Sequence, residues 1–201
     1  MNSLADSGEI FRYHRGMAEQ HGAGNIYTLG WRDAESQTKR LDVLAQIGNL
    51  NHQTVLDAGC GHADLFPYLQ NIYPNLGHYC GIEQIPELLD EAIKRYNDLP
   101  STSFISGNFM SPSLPVADYI LVCGSLNYQS SDSEYIYKAI NRLFQHSNLG
   151  FGFNLLSRVS MQGLLVAYKP QHIFDYCQTL TPNVVLKEDY SDEDFTIFMY
   201  H

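Results

Sequence analysis

The segment Val55-Leu56-Asp57-Ala58-Gly59-Cys60-Gly61-His62-Ala63-Asp64-Leu65 constrains the chain more than any other. An apolar run, Thr54 to Asp57, ends in an acid. Two glycines then turn the backbone sharply, and helical spacing runs from His62 to Ile72 through Leu65, Phe66 and Leu69. Glycine lets the backbone approach a ligand closely. Free N–H groups where a helix starts attract negative or electron-rich groups, and ligands of open α/β sheets sit at this end of the strands. A second acid, Glu83, closes the next apolar run, Tyr79 to Glu83, where a carboxylate can accept hydrogen bonds from both hydroxyls of a ribose. The loop is not a dinucleotide fingerprint. That motif wants a third glycine at position 64, where this chain has Asp64, and no acid such as Asp57 just ahead of the glycines.

The same alternation continues through the chain. Pro86 opens a helix whose stripe is Leu88, Leu89, Ala92, Ile93 and Tyr96. Strand-like runs follow at Phe104–Ser106 and Tyr119–Cys123. Ser131 and Glu134 are spaced as a capping box ahead of a helix that buries Ile136, Ala139, Ile140 and Leu143. Gly150–Leu156 is a further run, and Pro170 opens a helix with Ile173, Phe174, Cys177 and Leu180. The last two runs, Val184–Leu186 and Phe195–Tyr200, have only a turn through Tyr190–Asp194 between them, so they should pair antiparallel. The pattern predicts an α/β chain with a doubly wound, Rossmann-like, mostly parallel seven-stranded sheet ending in an antiparallel hairpin. Residues 1–50 precede the sheet as a helical segment, clearest over Ala34–Ile47, with Gly48 as its stop. Residues 51–201 form the sheet domain. The early segment carries Tyr13, Tyr27 and Trp31, much aromatic surface for a tail, which predicts a lid folded over the sheet's ligand end.

These features resemble the class I S-adenosylmethionine-dependent methyltransferases, whose first motif is an acid followed by Gly-x-Gly-x-Gly. The resemblance covers residues 50–201. It implies S-adenosylmethionine as cofactor and S-adenosylhomocysteine as product. It also implies that Gly59, Cys60 and Gly61 lie under the methionine part, that Asp57 orients the loop or the amino group, and that Glu83 takes the ribose. Gln84, Asn108 and Phe109 would flank the adenine, and Cys123 and Gly124, followed by Ser125, would face the sulfur. Ala63 stands in place of the third glycine, one extra methyl at the helix start, and Asn108 in place of the usual Asp, with an amide oxygen that still accepts. Gly30-Trp31 with Glu35-Ser36-Gln37, and Lys187-Glu188-Asp189-Tyr190 with Asp194-Phe195-Thr196, are similar to a group of uncharacterised bacterial members.

Composition narrows the acceptor. The formal charge is −10, whereas nucleic-acid binding calls for basic patches. The pairs Lys39-Arg40 and Lys94-Arg95 read as solvated helix faces, and Asp189–Asp194 as a solvated turn. A small-molecule acceptor is favoured, and a nucleic-acid partner is not. A protein or RNA methyltransferase is the alternative, and a non-catalytic module that binds the cofactor is another. No apolar run reaches the roughly 18 residues of a membrane span, and residues 1–9 lack a signal pattern, which predicts a cytoplasmic protein. The four cysteines are spread without a Cys-x-x-Cys pair and read as buried thiols, and the eight histidines show no metal-ligand spacing, so no metal is expected. Trp31, Asn127 and Tyr128 are candidate walls of the acceptor pocket. His14 and His62 read as surface or packing residues. No residue presents itself as the catalytic base.

Overall fold

The computed structural model describes residues 4–159 and 163–201. Its strands are β1 (Thr54–Ala58), β2 (His78–Glu83), β3 (Thr102–Ser106), β4 (Ala117–Val122), β5 (Ser147–Leu156), β6 (Val184–Lys187) and β7 (Asp194–Tyr200). Its helices are α1 (Leu4–His21), α2 (Ala34–Leu44), α3 (Leu65–Ile72), α4 (Pro86–Tyr96), α5 (Tyr135–Gln145) and α6 (Pro170–Leu180), with short 3-10 turns at Ile26–Leu29, Ala45–Ile47 and Ser125–Asn127. The strands form one sheet in the order β3-β2-β1-β4-β5-β7-β6. The first five are parallel, and β7 runs antiparallel between β5 and β6, with Ile197 opposite both Phe153 and Leu186. The chain winds outward from β1 to β3, then returns to β4 on the other side of β1. That reversal opens a crevice at the strand tips of β1 and β4.

Period-two alternation sorts the strand side chains into two layers. Leu56, Ala58, Ile120, Phe153 and Ile197 pack against Ile136, Ile140 and Leu143 of α5 and against Ile173 and Cys177 of α6. Val55, Tyr79, Leu121 and Phe198 face the other way, onto Phe66 and Leu69 of α3, Ala92 of α4, and Leu41, Leu44, Ile47 and Leu50. The end of the early helical segment is therefore part of the core, while α1 and the 3-10 turn after it lie elsewhere, over the crevice. Among the described residues, no helix is long and apolar enough to cross a membrane.

Several local expectations are corrected. Helix α3 starts at Leu65 rather than His62, because the backbone is left-handed at Gly59, Gly61 and Ala63. Gly48 ends the helix before it in an extended conformation, not a left-handed one. What calls for glycine there is the Tyr119 hydroxyl, 2.8 Å from where a Cβ would stand. Ser131 and Glu134 form no capping box. The Ser131 N–H and hydroxyl both donate to Asp6, and Asp132 takes the Glu134 N–H. Lys39 is exposed and paired with Glu35, but Arg40 is buried, its Nη2 2.7 Å from Asp194 Oδ1. Neither Arg40 nor Asp194 is a solvated charge: the pair ties α2 to the start of β7. Arg95 is likewise half-buried, bonded to Asp64, Glu91 and the Gly24 carbonyl.

Candidate functional site

A cavity of about 740 Å³ lies at the tips of β1, β2 and β4, within the roughly 300–1,000 Å³ usual for small-molecule sites. The candidate cofactor and acceptor-wall residues line it: Asp57, Gly59, Cys60 and Gly61 after β1, Glu83 and Gln84 after β2, Asn108 and Phe109 after β3, Cys123, Gly124, Asn127 and Tyr128 after β4, and Trp31 from the early segment; Tyr27, expected in the lid, does not. Ile10, Tyr13, His14 and Leu29 complete the wall from the early segment.

The glycine loop is held on three sides. The Gly59 and Cys60 N–H groups donate to the Ile82 carbonyl. Gly59 has φ +83°, and a Cβ there would lie 2.4 Å from Ser125 Cβ. Gly61 has φ +55°, and its missing side chain makes room for Leu29, whose Cδ2 would sit 2.5 Å from a Cβ. Both glycines are therefore needed first for contacts within the protein. Ala63 is more than one added methyl: it is left-handed at φ +59°, a conformation that costs an L-residue about 1–2 kcal/mol, and it is fully buried.

Two buried acids face this loop. Glu83 Oε1 accepts the Gln84 and Ile85 N–H groups at 2.8 and 2.9 Å, and Oε2 accepts the Gly61 N–H at 3.0 Å. A carboxylate offers about four lone-pair positions, so Oε2 keeps one for a ligand hydroxyl, not two. Burial raises the Glu83 pKa, and the three N–H bonds oppose that rise. Asp57 is less well served. Its Oδ2 accepts the Tyr79 hydroxyl at 2.5 Å, but Oδ1 is buried without a partner. Burial first, then the Glu83 and Asp64 charges, push its pKa up to about 7 against the opposing Tyr79 bond. An orphan carboxylate oxygen on a cavity wall is a ready acceptor for a cationic donor.

The remaining walls divide between two ends. At the β2–β3 end, Asn108 Nδ2 donates to Gln84 Oε1, and Asn108 Oδ1 accepts the Met110 N–H, leaving it one lone pair. At the β4 end, burial pushes the Cys123 thiol up to about 12 and raises Cys60 well above its ordinary value, so both stay protonated and inert. The Trp31 ring lies against Gly124, its Cη2 3.2 Å from a Cβ placed there, and the Arg40 guanidinium covers it at 4.8 Å. Asn127 Oδ1 accepts the Leu156 N–H at 2.8 Å. His14, read from sequence as a surface or packing residue, is buried on the cavity wall, with Nδ1 2.5 Å from the Thr28 carbonyl and Nε2 2.6 Å from the Tyr128 hydroxyl. His62 is buried against Thr28, Nε2 to Oγ1 3.2 Å. Sequence reasoning missed Thr28 and the Arg40–Asp194 pair, gave His14 a surface or packing role, and did not foresee Ser125 packing on the glycine loop, because the partners lie far away along the chain.

No family model matches this sequence, and no curated protein sequence matches it. Solved structures do match its fold. Magnesium protoporphyrin IX methyltransferase from Synechocystis, with S-adenosylhomocysteine bound, superposes with a TM-score of 0.70 at 14% identity over 96% of this chain and 98% of that one. An N-methyltransferase from Bradyrhizobium japonicum, also with S-adenosylhomocysteine, gives 0.68 at 14% identity over 96% and 98%. A SAM-dependent methyltransferase from Aquifex aeolicus gives 0.61 at 16% over 83% and 93%. The chain thus has the fold of class I S-adenosylmethionine-dependent methyltransferases.

Two expectations follow from the loop and its acid. With its folded pKa near 7, Asp57 holds its proton in the native state while the unfolded chain releases it near pH 4, so its effect on stability worsens as pH rises between about 4 and 7. Asp57→Asn therefore melts higher than wild type at neutral pH, and thermal melts across pH show this gap closing toward pH 4. Gly59→Ala places its methyl against Ser125 in a left-handed backbone and destabilises the chain. Adding Ser125→Gly removes the clash but not the strain, and it also gives up the Ser125 hydroxyl bond to the Ala58 carbonyl, so urea titration recovers only part of the loss.

Proposed function

We propose that this chain binds S-adenosylmethionine in the cavity and transfers its methyl group to a small molecule. The observation that carries the reading is the buried, unpartnered Asp57 Oδ1 beside the glycine loop, in a fold shared with methyltransferases crystallised with this cofactor or its product. The ammonium of the cofactor's methionine part is the cationic donor that Oδ1 lacks. The loop from Gly59 to Gly61, packed against Ser125 and Leu29, lies beneath that part. Glu83 Oε2 accepts one ribose hydroxyl with its free lone pair, and Gln84, Asn108 and Phe109 flank the adenine. Cys123 and Gly124 stand beside the sulfur as inert walls. When bound, the cofactor supplies an activated methyl on a sulfonium, so the protein's task is to align the acceptor and exclude water.

A small acceptor suits the net charge of −10 and a cavity roofed by the early segment. The neighbours named for their acceptors include a porphyrin methyltransferase. That roof supports reading the first part of the early segment as a lid, although Leu41 to Leu50 belong to the core. Leu29 rests over Gly61, and His14 and Trp31 hang from the same segment onto the β4 end, so a bound cofactor and the lid hold each other in place.

A thermal-shift comparison tests the cofactor. S-adenosylhomocysteine raises the melting temperature of the wild type and NAD does not, whereas Asp57→Asn weakens S-adenosylhomocysteine about 10–100-fold, the loss of one charged hydrogen bond. Stabilisation by NAD alone would overturn the assignment. Limited proteolysis tests the lid: cleavage before residue 34 slows when S-adenosylhomocysteine is added. Equal rates with and without saturating ligand would reduce the segment to scaffold.

A further inference from the structure

The acceptor end of the cavity holds a proton path that cofactor binding does not use. A carbonyl only accepts, so the 2.5 Å contact of His14 Nδ1 with the Thr28 carbonyl places the imidazole proton on Nδ1. Nε2 is then the bare nitrogen, and the Tyr128 hydroxyl, 2.6 Å away, donates to it. Having given its hydrogen to His14, the Tyr128 oxygen still has acceptor capacity, and Tyr128 is half-buried on the cavity wall. The pair is held from behind. The Thr28 hydroxyl donates to the Asn25 carbonyl and lies 3.2 Å from His62 Nε2, so the glycine loop itself fixes the carbonyl that orients His14.

We propose, resting on the methyl-transfer reading above, that Tyr128 and His14 form the relay that deprotonates the acceptor, and that the acceptor is a phenol. In the step, the acceptor O–H breaks as an O–H forms at Tyr128, and the original Tyr128 hydrogen moves to His14 Nε2. The products are a phenolate and an imidazolium, which returns its proton to water when the product leaves. Burial lowers the His14 pKa and raises that of Tyr128, so at neutral pH the imidazole is neutral and able to accept, and the phenol is protonated and able to relay.

The chemistry around the pair selects the acceptor class. A carboxylate has no proton to lose, and an aliphatic alcohol, a much weaker acid than a phenol, asks more of an imidazole whose own pKa burial has lowered. A phenol, near pKa 10, lies between them, and Tyr128 already shows that a phenol hydroxyl fits against His14. The rings beside His14 are Tyr13 and Tyr128, both edge-on at 5.1 and 5.7 Å, and Ile10, Leu164 and Leu165 add apolar wall. The cavity's acids each have partners: Asp64 has Arg95 and Gln37, Glu193 has Arg32, Asp57 has Tyr79, and Glu83 has three backbone N–H groups, although the Glu83 charge still helps to raise the Tyr128 pKa. With three bonds already made, Glu83 has little left to offer an ammonium acceptor beside His14. Arg158, exposed beyond β5 on the same wall, favours an acceptor that becomes anionic.

The test supplies S-adenosylmethionine and a phenol, 4-nitrophenol, and follows formation of its methyl ether across pH. The wild type is expected to methylate the probe, with a rate that falls as pH drops through the lowered His14 pKa. Tyr128→Phe and His14→Gln are expected to keep S-adenosylhomocysteine affinity by calorimetry, to lose at least about tenfold in kcat and to lose that acidic limb. No methyl ether from the wild type, or an unchanged kcat and pH profile in either variant, overturns the proposal. If His14→Gln does not fold, Tyr128→Phe, which deletes one hydroxyl, decides alone. Failure of S-adenosylhomocysteine to bind the wild type refutes the cofactor reading instead, before any phenol is added.

Discussion

Three backbone N–H groups converge on the buried carboxylate of Glu83, and the geometry of the site depends on that convergence. They come from two turns, the glycine loop after β1 and the link from β2 to α4, where the backbone has no ladder to join. A buried N–H without a partner is costly, and a charged acceptor binds such groups more strongly than a neutral one. One side chain thus fixes the tips of two neighbouring strands against each other. Everything else meets that fixed loop. Ser125 reaches it from β4, where its hydroxyl also donates to the Ala58 carbonyl, and Leu29 reaches it from the early segment. The absence of side chains at Gly59 and Gly61 lets both arrive.

The same loop carries the site's instability. Asp57 is buried with one oxygen unsatisfied, and Ala63 is held left-handed. Tyr79 answers only half of the Asp57 carboxylate, and a second hydroxyl or amide from the core would have answered the rest. The strain and the orphan oxygen sit six residues apart along the chain, and both are buried behind the cavity wall that Asp57, Gly59 and Gly61 line. A ligand ammonium would relieve the larger of the two, so binding and local stability draw on the same interaction.

The sequence disclosed what is local and concealed what is not. Pro86 and Pro170 mark the first turns of α4 and α6, and the acid–glycine segment placed the glycine-loop end of the cavity. Those signals act within a few residues. The lost capping box shows the limit: Ser131 has the right spacing to Glu134, but Asp6, 125 residues away, claims its hydroxyl and N–H. Arg40 and Asp194, separated by 154 residues, read as solvated charges because nothing near either one announces the other. The antiparallel pairing of the last two runs was legible, but the place of β7 between β5 and β6 was not read from the sequence and shows in the burial of the fold. Asp194–Met199 is buried at every position, whereas β6 alternates between half-buried and exposed, and a strand buried on both faces belongs inside a sheet, not at its edge.

The two ends of the cavity therefore have different origins. The glycine-loop end is built from strand tips, whose positions the sheet dictates, and it is accordingly the end that a short motif reveals. The opposite end is built from α1 and the turns after it, from the 3-10 turn beyond β4, and from the Leu164–Val166 stretch that bonds to Asn127 and Gln129. Little of this wall lies in the sheet core, which already closes with Leu41 to Leu50. Substitutions there leave the core intact, so this wall can vary while the fold and the glycine loop stay as they are. What joins the two ends is the chain of contacts from His62 through Thr28 to His14 and Tyr128. It sets the His14 imidazole by reference to the glycine loop, so His14 and Tyr128 keep their positions only while the early segment rests on that loop.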